Sequence, residues 1–177
     1  MKKFFSFILE TVRIIIISLA IVIPVRYFLF QPFLVVGQSM EPNFKNGDYL
    51  IVDEISYRFR EIKRGEVIVF KSPQNSSIRL IKRVIGLPNE TIEIKDGKIK
   101  IIKDNEAQIL DEKDYFGRFI YTAGDVKLTL KDDEYYVLGD NRSHSADSRF
   151  LGPINKKLII GRVFIRALPL GSFKLEK

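Results

Sequence analysis

"IRLIKRVIGLPNETIEIKDGKIKII", Ile78 to Ile102, alternates β-branched residues with polar ones on both sides of a Pro-Asn turn and again around Asp96-Gly97. In a strand, alternate side chains share a face. Leu80, Lys82 and Val84 therefore point one way, and Ile81, Arg83 and Ile85 the other. Asp96-Gly97, set between "TIEIK" and "KIKII", is a strong signal for a two-residue hairpin. The stretch predicts antiparallel β structure.

The pattern continues in both directions. "YLIVDEI", "EVIVFK", "VKLTL", "EYYVLG" and "LIIGRVFIRAL" are β-branched or aromatic runs bounded by Gly, Pro, Asn or Asp. No long amphipathic helix appears after residue 36. The expected fold is mainly β: an N-terminal transmembrane helix, then a coiled β-sheet or small barrel with a small inserted β lobe. The expected division is 1–30 for a cytoplasmic N-terminus and anchor and 31–177 for an extracytoplasmic domain. Within the latter the core is 31–90 and 131–177, and the lobe about 91–130. Residues 103–124, less regular and more charged, read as the outer part of that lobe.

The 177 residues suit one domain plus an appendage. Apolar residues make up 46%, too many for disorder, and 29% charged residues are too many for a multi-span membrane protein. The net charge of +7 suits an anionic partner, either nucleic acid or an acidic bilayer surface. The absence of cysteine excludes disulfides, thiolate-bound zinc and thiol catalysis. With one histidine, His144, there is no multi-histidine metal site. No metal and no cofactor is expected.

The N-terminus begins with Lys2 and Lys3, and from Ile14 to Val25 no residue is charged. Apolar character resumes after Arg26 through Phe30. Crossing the hydrocarbon takes about 20 mostly apolar residues, and terminal arginines can snorkel. A cleaved signal peptide would need a small-x-small site at the end of a short apolar core. Ser18-Leu-Ala20 is a weak match, because apolarity continues past it. The expectation is an uncleaved anchor with a cytoplasmic N-terminus, given Lys2, Lys3 and Arg13 on the short side.

Three places could carry chemistry. Lys82, flanked by two aliphatics on its own face, is a candidate buried amine, the alternative being a lysine snorkelling at a sheet edge. A free lysine is almost wholly protonated at neutral pH, and burial is what lets one accept a proton. Ser39, in "VVGQSMEPNF", is either a nucleophile or a turn residue before a strand. A neutral lysine can activate a serine hydroxyl. "LGDNRSHSADSRFLGP", Leu138 to Pro153, is either a solvated loop held by Asx turns and ion pairs or a layer that orients a base supplied from elsewhere.

Taken together, "FLFQPFLVVGQSMEPNF", "GDYLIVDEISY", "RGEVIVFKSP", "IKRVIGLPNETIEI", "GDNRSHSADSRFLGPI" and "GRVFIRALPLGSF" resemble a bacterial type I signal peptidase. That family is a membrane-bound serine protease with a Ser-Lys dyad. The likeness runs from about residue 26 to the C-terminus and is weakest over 98–130. It implies Ser39 as nucleophile, Lys82 as general base, and Ser145 holding the Lys82 amine. It also implies Asp147 and Arg149 as an ion pair beneath the site, with Asp140, Asn141 and Arg142 shaping the same loop. Met40, Val35, Phe44, Leu80 and Ile81 fall at pocket-lining positions. Gly37 stands where some members carry a serine that supports the oxyanion hole, as in the Gram-positive-like short form, so backbone N–H groups, chiefly that of Ser39, would form the hole.

The implied function is removal of signal peptides from exported preproteins after small residues at −1 and −3. The implied partners are those signal peptides, the anionic bilayer surface and, indirectly, the export machinery, with no nucleic acid. The implied location is the plasma membrane, single-pass, with the catalytic domain outside. Three other readings are distinguishable. A self-cleaving repressor shares the dyad but would carry its own upstream cleavage site. A Ser39-His144-Asp147 triad would depend on His144. A non-catalytic, membrane-tethered β module binding anionic lipid or nucleic acid would keep working after Ser39→Ala.

Overall fold

The computed structural model describes residues 2–28, 30–104, 106–117, 119–168 and 174–175. Side chains are described for these except at 2, 3, 5, 23–28, 30 and 174–175. In chain order the elements are α1 (Lys2–Phe28), β1 (Phe30–Leu34), β2 (Tyr49–Asp53), β3 (Val67–Lys71), β4 (Arg79–Gly86), β5 (Thr91–Lys95), β6 (Lys98–Lys103) and β7 (Glu106–Ile109). There follow α2 (Lys113–Phe116), β8 (Val126–Thr129), β9 (Glu134–Leu138), α3 (Ser148–Leu151), β10 (Ile154–Asn155), β11 (Ile159–Leu168) and β12 (Lys174–Leu175).

The strands form two sheets rather than one closed barrel. An eight-stranded sheet runs β1-β2-β11-β3-β4-β9-β10, with β12 paired to β11. Its described neighbours pair antiparallel. Pro32 lies opposite Ile51 in β1, at the end of this path. An edge strand tolerates a residue with no N–H. A four-stranded sheet, β7-β6-β5-β8, holds residues 91–129.

The β5–β6 turn is the one read from the sequence: Lys95 faces Lys98, and both Asp96 and Gly97 have positive φ, 50° and 75°. A Cβ at Gly97 would also collide with the Tyr121 ring. Glycine is required there on both counts.

Three apolar clusters fill the interior. Ile85, Tyr136 and Leu138 of the larger sheet pack with Ile92, Ile94, Ile99, Ile101 and Leu130, which joins the two sheets. Ile62, Ile68, Phe70, Val84, Tyr135, Val137 and Ile154 form a second cluster. Val35, Met40, Phe44, Leu50, Val52, Val67, Val69 and Val163 form the third, under the Ser39 turn.

α1 differs from a helix with one buried stripe. Phe4, Phe7, Leu9, Ile14, Ile16, Leu19, Ile21 and Val22, spread around its circumference, are all exposed. Among the described residues, no helix is long and apolar enough to cross a membrane. Glu10 and Arg13 interrupt the apolar run in the first half of the helix. The side chains of 23–30, counted into the anchor on sequence grounds, lie outside the described ones.

Candidate active site

The segment between β1 and β2 carries Ser39. Its shape comes from apolar plugs and backbone bonds. Met40 and Phe44 are 1% and 0% exposed and sit in the core with Val35. Val35 N–H donates to Asp48 O at 2.9 Å, Gly47 N–H to Val35 O at 2.9 Å, and Gly37 N–H to Asn46 Oδ1 at 2.9 Å. Burying the neighbour on one side leaves the half-buried Ser39 turned toward β4.

Lys82, on β4, meets it there. Its Nζ lies 2.8 Å from Ser39 Oγ and donates a second hydrogen bond, also 2.8 Å, to Ile81 O. The side chain is almost wholly enclosed, 2% exposed. Ile68, its cross-strand partner on β3, and Val84 beside it on β4 are both fully buried. Burial pushes the Lys82 amine down to about 8 against the pull of the Asp147 and Asp140 carboxylates, which would raise it. From an ordinary 10.5, that shift is worth about 3 kcal/mol of disfavoured charge. At pH 7 about a tenth of the amine is neutral, against roughly one part in three thousand for a free lysine. A hydroxyl within hydrogen-bond distance of such an amine can lose its proton to it as it attacks a carbonyl.

The loop after β9 closes the site from below. Asp140 accepts from Arg83 Nε (2.8 Å) and Nη2 (2.6 Å) and from Asn43 Nδ2 (2.8 Å). This joins the loop to β4 and to the Ser39 segment. Asn141 N–H donates to Ser39 O at 3.0 Å, and its Nδ2 to Gln38 O at 3.1 Å. Arg142 Nε donates to Gly139 O at 3.0 Å. Asp147, fully buried, accepts from Gly139 N–H at 3.0 Å and from Arg149 Nε (2.9 Å) and Nη2 (2.8 Å). Burial alone would raise the Asp147 carboxyl, but the Arg149 hydrogen bonds and charge, with the Gly139 N–H, hold it below the usual range.

Gly139 is a point of close approach. A Cβ there would strike the Ser145 hydroxyl and stand 2.5 Å from Ser39 O. Ser145 thus lies at the site, yet it makes no hydrogen bond to the Lys82 amine, which bonds Ser39 and Ile81 instead. Val35, Met40, Phe44 and Ile81 come together in one cluster, whereas Leu80 packs in another, with Ile68 and Phe70. His144 is exposed and its Nδ1 pairs with Ser143 Oγ at 2.9 Å. Asp147 is engaged by Arg149, so no Ser39-His144-Asp147 triad is assembled. Among the described residues no group of acidic residues and histidine is arranged to hold a metal ion.

Reading the sequence missed Arg83 and Asn43 as the partners of Asp140, and Glu112 and Thr122 as those of Arg142. These pairs join residues 57, 97, 30 and 20 positions apart and leave no local pattern.

A family model described as "Signal peptidase, peptidase S26" matches residues 8–168. The chain belongs to the signal peptidase family. It is 37% identical over 171 residues to Signal peptidase I V of Bacillus subtilis (strain 168), covering 91% of this chain and 96% of that one. Signal peptidase I P of Bacillus subtilis subsp. natto is 34% identical over 181 residues, with 99% and 97% covered. A solved signal peptidase I from Enterococcus faecalis V583 is 32% identical, with a TM-score of 0.48, over 59% of this chain and 97% of that structure.

For this signal peptidase a rate that depends on neutral Lys82 has a definite pH profile. The amine is neutral above its pKa, so kcat/KM is expected to fall tenfold per pH unit below about 8 and to level off above it. Measuring kcat/KM from pH 5 to 10 checks this, and a lower limb near pH 4 would assign the base to a carboxylate.

Proposed function

We propose that this signal peptidase removes N-terminal signal peptides from exported preproteins through an acyl-enzyme, with Ser39 as nucleophile and Lys82 as general base. The observation that carries the proposal is the 2.8 Å separation of Ser39 Oγ from a buried, easily neutralised amine. Ser39 Oγ bonds to the scissile carbonyl carbon while its proton passes to Lys82 Nζ. The C–N bond then breaks, and Lys82 returns that proton to the departing amine. A water, deprotonated by the same amine, releases the signal peptide.

The developing oxyanion needs donors. The Ser39 N–H makes no hydrogen bond among the described residues and is the first candidate. Asn141 supports it by donating from Nδ2 to Gln38 O, the carbonyl of the peptide that contains the Ser39 N–H. Preprotein residues before the cut would add as an extended strand to the sheet edge, with small side chains at −1 and −3. Val35, Met40, Phe44 and Ile81 form the apolar floor nearest Ser39. Asp147, Arg149, Asp140 and Arg142 hold the loop that carries these contacts.

Residues 1–30 would anchor the chain in the plasma membrane, N-terminus inside, with 31–177 outside as a catalytic core and an inserted lobe over 91–130. The described apolar side chains from Phe4 to Val22 lie exposed around α1, and such a surface is stable when surrounded by other apolar matter. The +7 charge would favour an anionic bilayer surface, and signal peptides emerging from the export machinery would be met there.

Incubating full-length protein with a preprotein tests the reading. Wild type is expected to release the signal peptide and Ser39→Ala to release none, with both proteins melting alike. Cleavage that survives in Ser39→Ala would make the chain a protease of another kind, and a wild type that cleaves nothing would leave it as a tethered binding module.

A further inference from the structure

The irregular stretch between β7 and β8 looks on sequence grounds like an outlying, charged surface. Two of its residues are nevertheless interior: Glu112 is 8% exposed and Thr122 is 0%. Both are spent on one guanidinium. Arg142 Nη1 donates to Glu112 Oε2 at 2.9 Å and to Thr122 Oγ1, and Nη2 donates to Glu112 Oε1. The Phe116 ring lies 5.5 Å from the guanidinium carbon and covers it. A second tie follows at once, because Arg149 Nη1 donates to Ala123 O at 3.2 Å and its Nη2 to Arg142 O at 2.6 Å. The smaller sheet's long connection is thereby fastened to the loop under the dyad at two points.

The residue before Arg142 is the one that holds the Ser39 backbone, through Asn141 N–H to Ser39 O and Asn141 Nδ2 to Gln38 O. Arg142 itself donates to Gly139 O, at the other end of the same turn. Hydrogen bonds from Glu112 to Arg142, and from the adjoining Asn141, therefore lead from the lobe to the two peptide groups on either side of the Ser39 α-carbon, one of which contains the Ser39 N–H.

We propose that Glu112, assisted by Thr122, is a positioning residue for the reaction, setting the Ser39 backbone through Arg142 and Asn141. It touches neither the amine nor a substrate. Its carboxylate fixes the one orientation of Arg142 in which the 139–142 turn is held from both ends. Without that charge Arg142 is a buried cation facing Thr122, a carbonyl and the Phe116 ring with no anion, and the turn relaxes toward another arrangement. Misplacement of reacting atoms by about 1 Å is enough to cost up to about 10²-fold in rate. On the proposed reading the substrate strand adds at the sheet edge and touches neither Glu112 nor Arg142, so the loss falls on the chemical step. The inference rests on reading Ser39 as the nucleophile.

The test uses full-length protein in detergent and a soluble signal-peptide substrate. It measures kcat, KM and the unfolding midpoint for wild type, Glu112→Gln, Arg142→Lys and the double variant. Glu112→Gln is expected to lower kcat about tenfold or more and to leave KM within about twofold. The double variant is expected to be no slower than the slower single one, since both cut one tether. An unchanged kcat in folded Glu112→Gln, or single-variant losses that multiply in the double variant, would overturn the proposal. Where Glu112→Gln melts below the assay temperature, Thr122→Val, which removes only a hydroxyl from Arg142, is read by the same criteria. Ser39→Ala in the same assay separates the two levels. If it is inert while Glu112→Gln is normal, only the positioning role fails; if it is active, the nucleophile assignment fails first.

Discussion

Lys82→Met is expected to fold and to cleave signal peptides about 10³-fold more slowly than the parent, the scale on which a positioned general base contributes. Methionine roughly matches the lysine stem and carries no charge, so it suits a position that is almost wholly enclosed. On the proposed mechanism, what it removes is the proton acceptor of Ser39. It also removes a charge whose burial disfavours the folded state by about 3 kcal/mol at neutral pH, while Ser39 Oγ and Ile81 O lose a donor worth about 1–3 kcal/mol. The two effects offset, and the melting temperature should stay within a few degrees. A variant that melts normally yet cleaves at the parent rate would show that the amine is not the base. His144→Ala is the control. Among the described residues its ring bonds Ser143 alone, and the rate of the variant is expected near normal, where a triad would require its loss.

Asp140→Ala is expected to be the most destabilising single substitution around the site. It strips the Arg83 guanidinium, 8% exposed, of two charge-assisted bonds and leaves it with Gly65 O and the Tyr115 ring at 4.5 Å. Breaking one side of a buried pair costs about 3–5 kcal/mol. In a chain of this size that lowers the melting temperature by roughly 10 °C. Replacing both partners by apolar residues, Arg83→Met with Asp140→Leu, is expected to restore part of the loss, because no unpaired charge remains. A double variant less stable than Asp140→Ala would contradict that account. Asp140 also raises the Lys82 amine through its charge, so the acid limb of kcat/KM should move to lower pH in Asp140→Ala, provided the assay is run below its melting point.

The strands were legible because period-two alternation and the Asp96-Gly97 turn are local properties of the chain. Lys82 stood out for a similar reason: its i±2 neighbours are aliphatic. Ser39 did not. In isolation "GQSME" reads equally well as a turn, and only the likeness to a family tied it to an amine 43 positions away. β7 went unread because all four of its residues are exposed, so nothing in "EAQI" marks an inward face. The stretch after it misled for the opposite reason. Its charges suggested solvent, whereas Glu112 is buried because Arg142 meets it from another part of the chain. Ser145 shows the limit of likeness: it arrives at the site, packed on Gly139, without the bond to the amine that the resemblance implies.

The strand order has a consequence for biosynthesis. β11 is the last long strand to leave the ribosome, yet it lies mid-sheet, between β2 and β3. Until it inserts, the hairpin partner of the serine segment and the strand pair bearing the lysine share no border within that sheet. Pairings between such distant stretches of chain form late. On the proposed reading, a chain made only as far as β10 would carry Ser39 and Lys82 without the strand that borders both β2 and β3, and would stay inactive until β11 is in place.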